Sequence, residues 1–124
     1  MKRRVLESWL LLLYFDWLMR FRGFPRVHTV VREQKARCGT RTRAEAEDLS
    51  HAADLACVFY FKRVLCLQRS AALAVLLRRH GWSAEMVIGA QLFPFLSHAW
   101  VEVEGRVVND KPHVTQLFHV LERC

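Results

Sequence analysis

The hydrophobic positions change period along the chain, from helical spacing in the first two thirds to strict alternation afterwards. Residues 5 to 21, "VLESWLLLLYFDWLMRF", are apolar on nearly every side, and Gly23 and Pro25 follow as stop signals, which predicts a helix that something must cover. Residues 26 to 41 are basic and weakly patterned, as expected of a surface loop or a short helix on the surface. Thr42 and Glu45 then form a capping-box pair, and Ala46, Leu49, Ala53, Cys57 and Tyr60 recur at helical spacing, predicting a second helix with one buried face. Cys57 lies on that stripe as a small apolar filler.

"LCLQRSAALAVLLRRHG", residues 65 to 81, is rich in helix formers. It ends in Arg78, Arg79 and His80, which suit the negative end of a helix dipole, with Gly81 as the stop. Cys66 therefore falls at or near the first turn. "WSAEMVIGAQ" and "SHAWVEVE" alternate as strands do, "LFPF" joins them, and Gly105 turns the second back into "RVVND". The segment from Pro112 to Cys124 fits either a last helix or irregular cover. Helices followed by a small antiparallel sheet predict an α+β fold.

Length and charge narrow the picture. A chain of 124 residues, 52% hydrophobic, is expected to form one domain (1–124), with a basic helical N-terminal region (1–43) and a compact unit after it (44–124). The formal charge of +7 suggests nucleic acid, but residues 1 to 43 carry eleven Lys or Arg against three acids, whereas residues 44 to 124 carry eight against nine. The excess is confined to one end, which favours a solvated or acidic-partner-docking surface over a nucleic-acid footprint. The basic, greasy start imitates a signal peptide, yet Glu7 and Asp16 interrupt it and no cleavage site follows. The apolar run is too short to span a bilayer, although it is suited to peripheral membrane contact. Cys38, Cys57, Cys66 and Cys124 show neither metal-ligand spacing nor a disulfide framework, so a reducing cytoplasm is expected and no metal or cofactor is called for.

A thiol attacks as its thiolate, which the amides and positive dipole end of a helix start favour; Cys66 occupies such a place and Cys57 does not. A histidine on a neighbouring strand can take the thiol proton and return it to a leaving amine, and its second ring nitrogen needs an orienting group. His98 and Asp110 offer that pair. Glu102 shares a strand face with His98 but lies about 13 Å along the strand, beyond hydrogen-bond reach. The order Cys, His, Asp, with helix before strands, is that of papain-like and transglutaminase-like hydrolases and acyltransferases.

Two segments carry a closer resemblance. "CLQRSAALAVLLRRHG" and "HAWVEVEGRVVND" resemble the signature segments of the lasso-peptide leader peptidases, transglutaminase-like cysteine proteases that remove the leader of a ribosomally made precursor. The resemblance places the family's nucleophile on Cys66, its general base on His98 and its orienting acid on Asp110. It also implies partners: the precursor's leader peptide, a separate winged-helix recognition protein, since no residues here remain for that element, and an ATP-dependent cyclase acting afterwards. Two other functions fit the residues, an acyltransferase using the same groups and a non-catalytic basic binding protein.

Some details stay open at this level. A two-residue turn at Glu104 and Gly105 would pair Val103 with Arg106 and aim Asp110 away from His98. The triad then requires either a bulge at Gly105 that shifts the register or an Asp110 lying just past the ladder. Beside the Cys66 amide, Gln68 and Gln91 are available as a second oxyanion donor, and spacing selects neither. Arg69 is expected either in a structural salt bridge or capping neighbouring carbonyls, Trp82 and Trp100 in the core or a pocket wall, and His28, His51, His80, His113 and His119 at the surface.

Overall fold

In a computed structural model of the chain, residues 2–33, 43–60, 65–91, 96–103, 105–109 and 114–124 are described. Four helices, α1 (Lys2–Arg22), α2 (Phe24–Glu33), α3 (Arg43–Val58) and α4 (Cys66–Arg79), precede strands β1 (Ala84–Gln91), β2 (Leu96–Val103) and β3 (Arg106–Val107), the short helix α5 (Val114–Leu117) and strand β4 (His119–Arg123). The strands form one antiparallel sheet in the order β3-β2-β1-β4. This is the expected α+β arrangement, with the cysteine-bearing helix packed on a small sheet.

Period-two alternation divides the sheet into two faces. Ala84, Met86, Val101 and Val103 point toward the helices and join Ala71 to Leu77 of α4, Leu49 and Ala53 of α3, and Leu12, Phe15 and Leu18 of α1 in one core. Val87 and Trp100 point the other way and pack with Val114, Val107 and Phe118 in a smaller cluster. α4 lies nearly parallel to β2. The Ser70 hydroxyl near its start donates to the Ala99 carbonyl at 3.0 Å, and Arg78 near its end donates to the Ala84 carbonyl at 2.9 Å. Ala84 is paired with Val103, so α4 and β2 begin at one end of the layer and finish at the other.

Three elements differ from the sequence reading. Residues 24 to 33 are helical, and Val27 and Val31 are fully buried rather than at the surface, because their spacing of four puts both on one side of a helix whose first turn accommodates Pro25. The C-terminal segment supplies a fourth strand, bonded to β1 with a bulge opposite Ile88 and Gly89, where a last helix or irregular cover was expected. The histidines are not all at the surface. His28 is half-buried beside Glu122, with 2.8 Å between Nε2 and Oε1, and His80 is half-buried 3.3 Å from Glu7, whereas His51 and His119 are exposed.

α1 buries Ser8, Leu12, Phe15 and Leu18 against α3 and α4, whereas Leu6, Leu10, Tyr14, Trp17 and Phe21 on its outer side stay exposed, so the helix is covered on one side only among the described residues. No described helix is long and apolar enough to cross a membrane. Thr42 of the capping box, the "LFPF" connection and His113 lie outside the described residues.

Candidate active site

Cys66 is the first residue of α4, half-exposed and with a free thiol. The preceding Leu65 is extended (φ −79°, ψ 157°) and cannot cap the helix with its side chain, and no acidic residue occupies the first turn. The first intrahelical bond runs from the Arg69 amide to the Leu65 carbonyl at 3.0 Å. The amides before it have no intrahelical acceptor, as at any helix start, and lie at the positive end of the helix dipole beside the thiol. An ion pair from Arg69 to Asp54 holds this turn to α3, the first of the two roles open to Arg69 from sequence.

His98 is the third residue of β2 and pairs with Gly89 of β1. Its half-buried ring stands 5.4 Å from the Phe118 ring and 6.1 Å from Trp100, so aromatic surfaces limit its rotation. Gly89 is required here: a Cβ at that position would lie 2.8 Å from Trp100 Cη2 and 3.0 Å from Phe118 Cβ. Trp82 and Trp100 are both buried, in the core and in the wall behind His98 respectively.

The parallel course of α4 and β2 brings the Cys66 and His98 ends of the two elements together. Ser70 is bonded at Ala99, and Cys66 lies one turn earlier, about 6 Å further toward the start of β2. The side chains nevertheless belong to different faces: α4 packs on the Val101 side, and the His98 ring is on the Trp100 side. No hydrogen bond joins the Cys66 thiol to the His98 ring among the described residues.

The register after the turn is the unshifted one, Val103 with Arg106 and Glu102 with Val107, and Gly105 adopts φ +79° in the turn. This excludes the bulge that the sequence reading allowed. Val108 makes half of the next pair, donating its amide to the Val101 carbonyl at 3.0 Å. The other half is absent, because the Val101 amide donates to Asn109 Oδ1 at 2.8 Å while the Val108 carbonyl accepts from Ser50 Oγ at 3.0 Å. The chain leaves the ladder at Val108. Asp110, the expected orienting acid, follows two residues later and lies outside the described residues.

A family model described as the transglutaminase-like superfamily matches residues 9–123. The chain belongs to the transglutaminase-like superfamily. Microcin J25-processing protein McjB of Escherichia coli is 43% identical over 56 residues, which is 45% of this chain and 27% of that protein. The chain thus matches little more than a quarter of its relative's length. No solved structure matches.

Two residues at this transglutaminase-like site have no counterpart in the sequence reading. Asn109 Nδ2 donates to Ser70 Oγ at 3.2 Å, so that a chain of hydrogen bonds runs from the Val101 amide through Asn109 and Ser70 to the Ala99 carbonyl. The only local signal was an Asn at the end of an alternating run. Of the glutamines left open, Gln68 is buried on α4 with Oε1 unbonded among the described residues, and Gln91 closes β1 half-buried. Cys57 and Cys124 are half-buried, and burial raises both thiols above the ordinary range, which makes them poor nucleophiles at neutral pH. Among the described residues no group of three or more His, Cys, Asp or Glu side chains is placed to hold a metal ion.

Proposed function

We propose that this chain is a cysteine endopeptidase that removes the leader from a lasso-peptide precursor in the cytoplasm, with Cys66 as nucleophile, His98 as general base and Asp110 as the acid that orients His98. The observation that carries it is the uncapped start of α4, with Cys66 first in the helix, at the same end of the layer as His98. The stretch shared with a microcin-processing protein supports the choice of substrate. His98 takes the proton of the Cys66 thiol, and the sulfur attacks the scissile carbonyl. The oxyanion is met by the Cys66 amide, and collapse expels the leaving amine, which carries away the proton from His98. Water, deprotonated by His98, then hydrolyses the thioester and regenerates the thiol. This sequence uses no nucleotide or cofactor. A separate recognition protein delivers the leader, and an ATP-dependent cyclase takes the freed core peptide.

The test is incubation of the chain with a lasso-peptide precursor and a leader-recognition protein, followed by intact-mass measurement. Two fragments whose masses sum to the precursor plus one water are expected, and none with Cys66→Ala; unchanged cleavage by that variant would overturn the assignment. The superfamily match favours one second reading, acyl transfer to an amine through the same thioester. It predicts a product in which the amine is joined to the peptide.

A further inference from the structure

α4 buries Ala71, Ala72 and Ala74, and side chains this small set the separation of a helix from its neighbours without fixing where along them the helix lies. Directional bonds must supply that register. At the Cys66 end, Leu65 offers no cap, and the Arg69 ion pair reaches α3 rather than the sheet. Among the described residues, the side-chain hydrogen bond that ties the start of α4 to the start of β2 is the Ser70 hydroxyl on the Ala99 carbonyl, one turn after Cys66 and one residue after His98. Ser70 is 1% exposed, and its oxygen is held from behind by Asn109 Nδ2, whose own carbonyl is fixed on the Val101 amide.

We propose that Ser70 and Asn109 are positioning residues for catalysis, their hydrogen-bond chain setting the Cys66 end of α4 against the His98 end of β2. The proposal rests on the reading of Cys66 and His98 as nucleophile and base. It explains why the sheet gives up a backbone bond at Val108: the Val101 amide is used to hold Asn109, and through it the helix.

Iodoacetamide tests this without a peptide substrate. The Cys66 sulfur displaces iodide and forms a C–S bond, and mass spectrometry of the full-length chain reads the rate at each cysteine separately. Ser70→Ala removes the middle of the chain. Asn109→Asp keeps an acceptor for the Val101 amide but loses the donor to Ser70. Both variants are expected to slow alkylation of Cys66 by about tenfold, short of the roughly 10²-fold that a full 1 Å misplacement can cost, and to leave Cys57 and Cys124 at their wild-type rates. His98→Ala is the reference and is expected to slow Cys66 at least as much. If His98→Ala slows Cys66 while Ser70→Ala and Asn109→Asp do not, the positioning role is overturned and the nucleophile–base pair stands. If His98→Ala leaves the Cys66 rate unchanged, the pair itself fails and the positioning role with it. Faster alkylation of Cys57 and Cys124 in both variants, or loss of their cooperative melting, would reduce the two residues to fold stability and overturn the proposal. With the precursor as substrate, the same variants should lower kcat and leave KM within about twofold of wild type.

Discussion

Arg123 of β4 reaches across β1 to bond Glu102 of β2, with 2.9 Å between Nη1 and Oε1. Beneath it, Glu85 and Glu102 stand directly opposite each other on paired strands, an arrangement of like charges that is unfavourable by itself. Arg123 also meets Glu85 at 3.3 Å, and the Trp100 indole donates to Glu102 at 2.9 Å, so the buried carboxylate is surrounded by donors. Burial pushes the Glu102 carboxyl upward, but the bonds from Trp100 and Arg123 and the charge of Arg123 outweigh it and hold the group below the ordinary carboxylate range. Because the folded-state value is the lower one, its stabilisation is complete above the unfolded-state value of about 4.3 and is lost as pH falls toward the folded-state value. Arg123→Ala should cost about 1–2 kcal/mol near neutral pH, a value discounted for the exposure of Arg123, and should flatten the acid side of a plot of melting temperature against pH.

The three proposed catalytic groups should respond unequally to substitution. Cys66→Ala and Cys66→Ser are expected to abolish precursor cleavage with little change in melting temperature, since the thiol is half-exposed and caps nothing. His98→Ala should lower kcat by about 10²–10⁴-fold, the usual contribution of a general base. Asp110→Asn should cost less than either, because an amide oxygen can still accept from the ring. Steady-state kinetics on the precursor, beside the far-ultraviolet spectra of the variants, checks all of them.

What the sequence makes legible follows from how local each feature is. β1 and β2 are readable because their runs alternate in residue type over consecutive positions, and Cys66 at a helix start and His98 near a strand start are readable from equally local patterns. β4 is not, since Val120 and Leu121 are exposed apolar residues that break the alternation, and the strand is set by its pairing with β1. Ser70 and Asn109 acquire their roles from a contact between positions 39 apart in sequence, which no window on the chain contains. The turn at Gly105 is readable, but the sequence leaves its register between the unshifted pairing and a bulge, and the structure takes the unshifted one.

Gly89→Ala tests the aromatic wall behind His98. The added methyl meets Trp100 Cη2 at 2.8 Å, and Trp100 is fully buried, so neither ring can move aside without opening the smaller core. A loss of about 1–3 kcal/mol is expected from overpacking, together with a fall in kcat from the displaced imidazole. Chemical denaturation gives the first and precursor cleavage the second. Full activity in a destabilised variant would separate the wall from the chemistry.

Arg78 provides the opposite case, a residue whose loss should damage the fold and leave the reacting groups alone. Its guanidinium is buried at the far end of α4 from Cys66, where Nε bonds the Ala84 carbonyl at 2.9 Å and the two terminal nitrogens bond the backbone oxygens of Val31 and Cys124. One side chain thereby ties together the end of α2, the start of β1 and the residue after β4. Burial lowers the group from its usual value, and the neighbouring Glu85 opposes that shift. A methionine of similar length would fill the space but leave three carbonyl oxygens without their donor, at a cost of about 2–4 kcal/mol. Arg78→Lys restores the charge without the planar fork, and should recover less than half of that loss, because a single ammonium cannot meet three divergent acceptors with good geometry. Both variants, assayed well below their melting temperatures, should keep the wild-type rate of iodoacetamide alkylation at Cys66. A slowed Cys66 in a folded Arg78→Lys protein would mean that the register of α4 on the sheet is set from its far end as well as from Ser70.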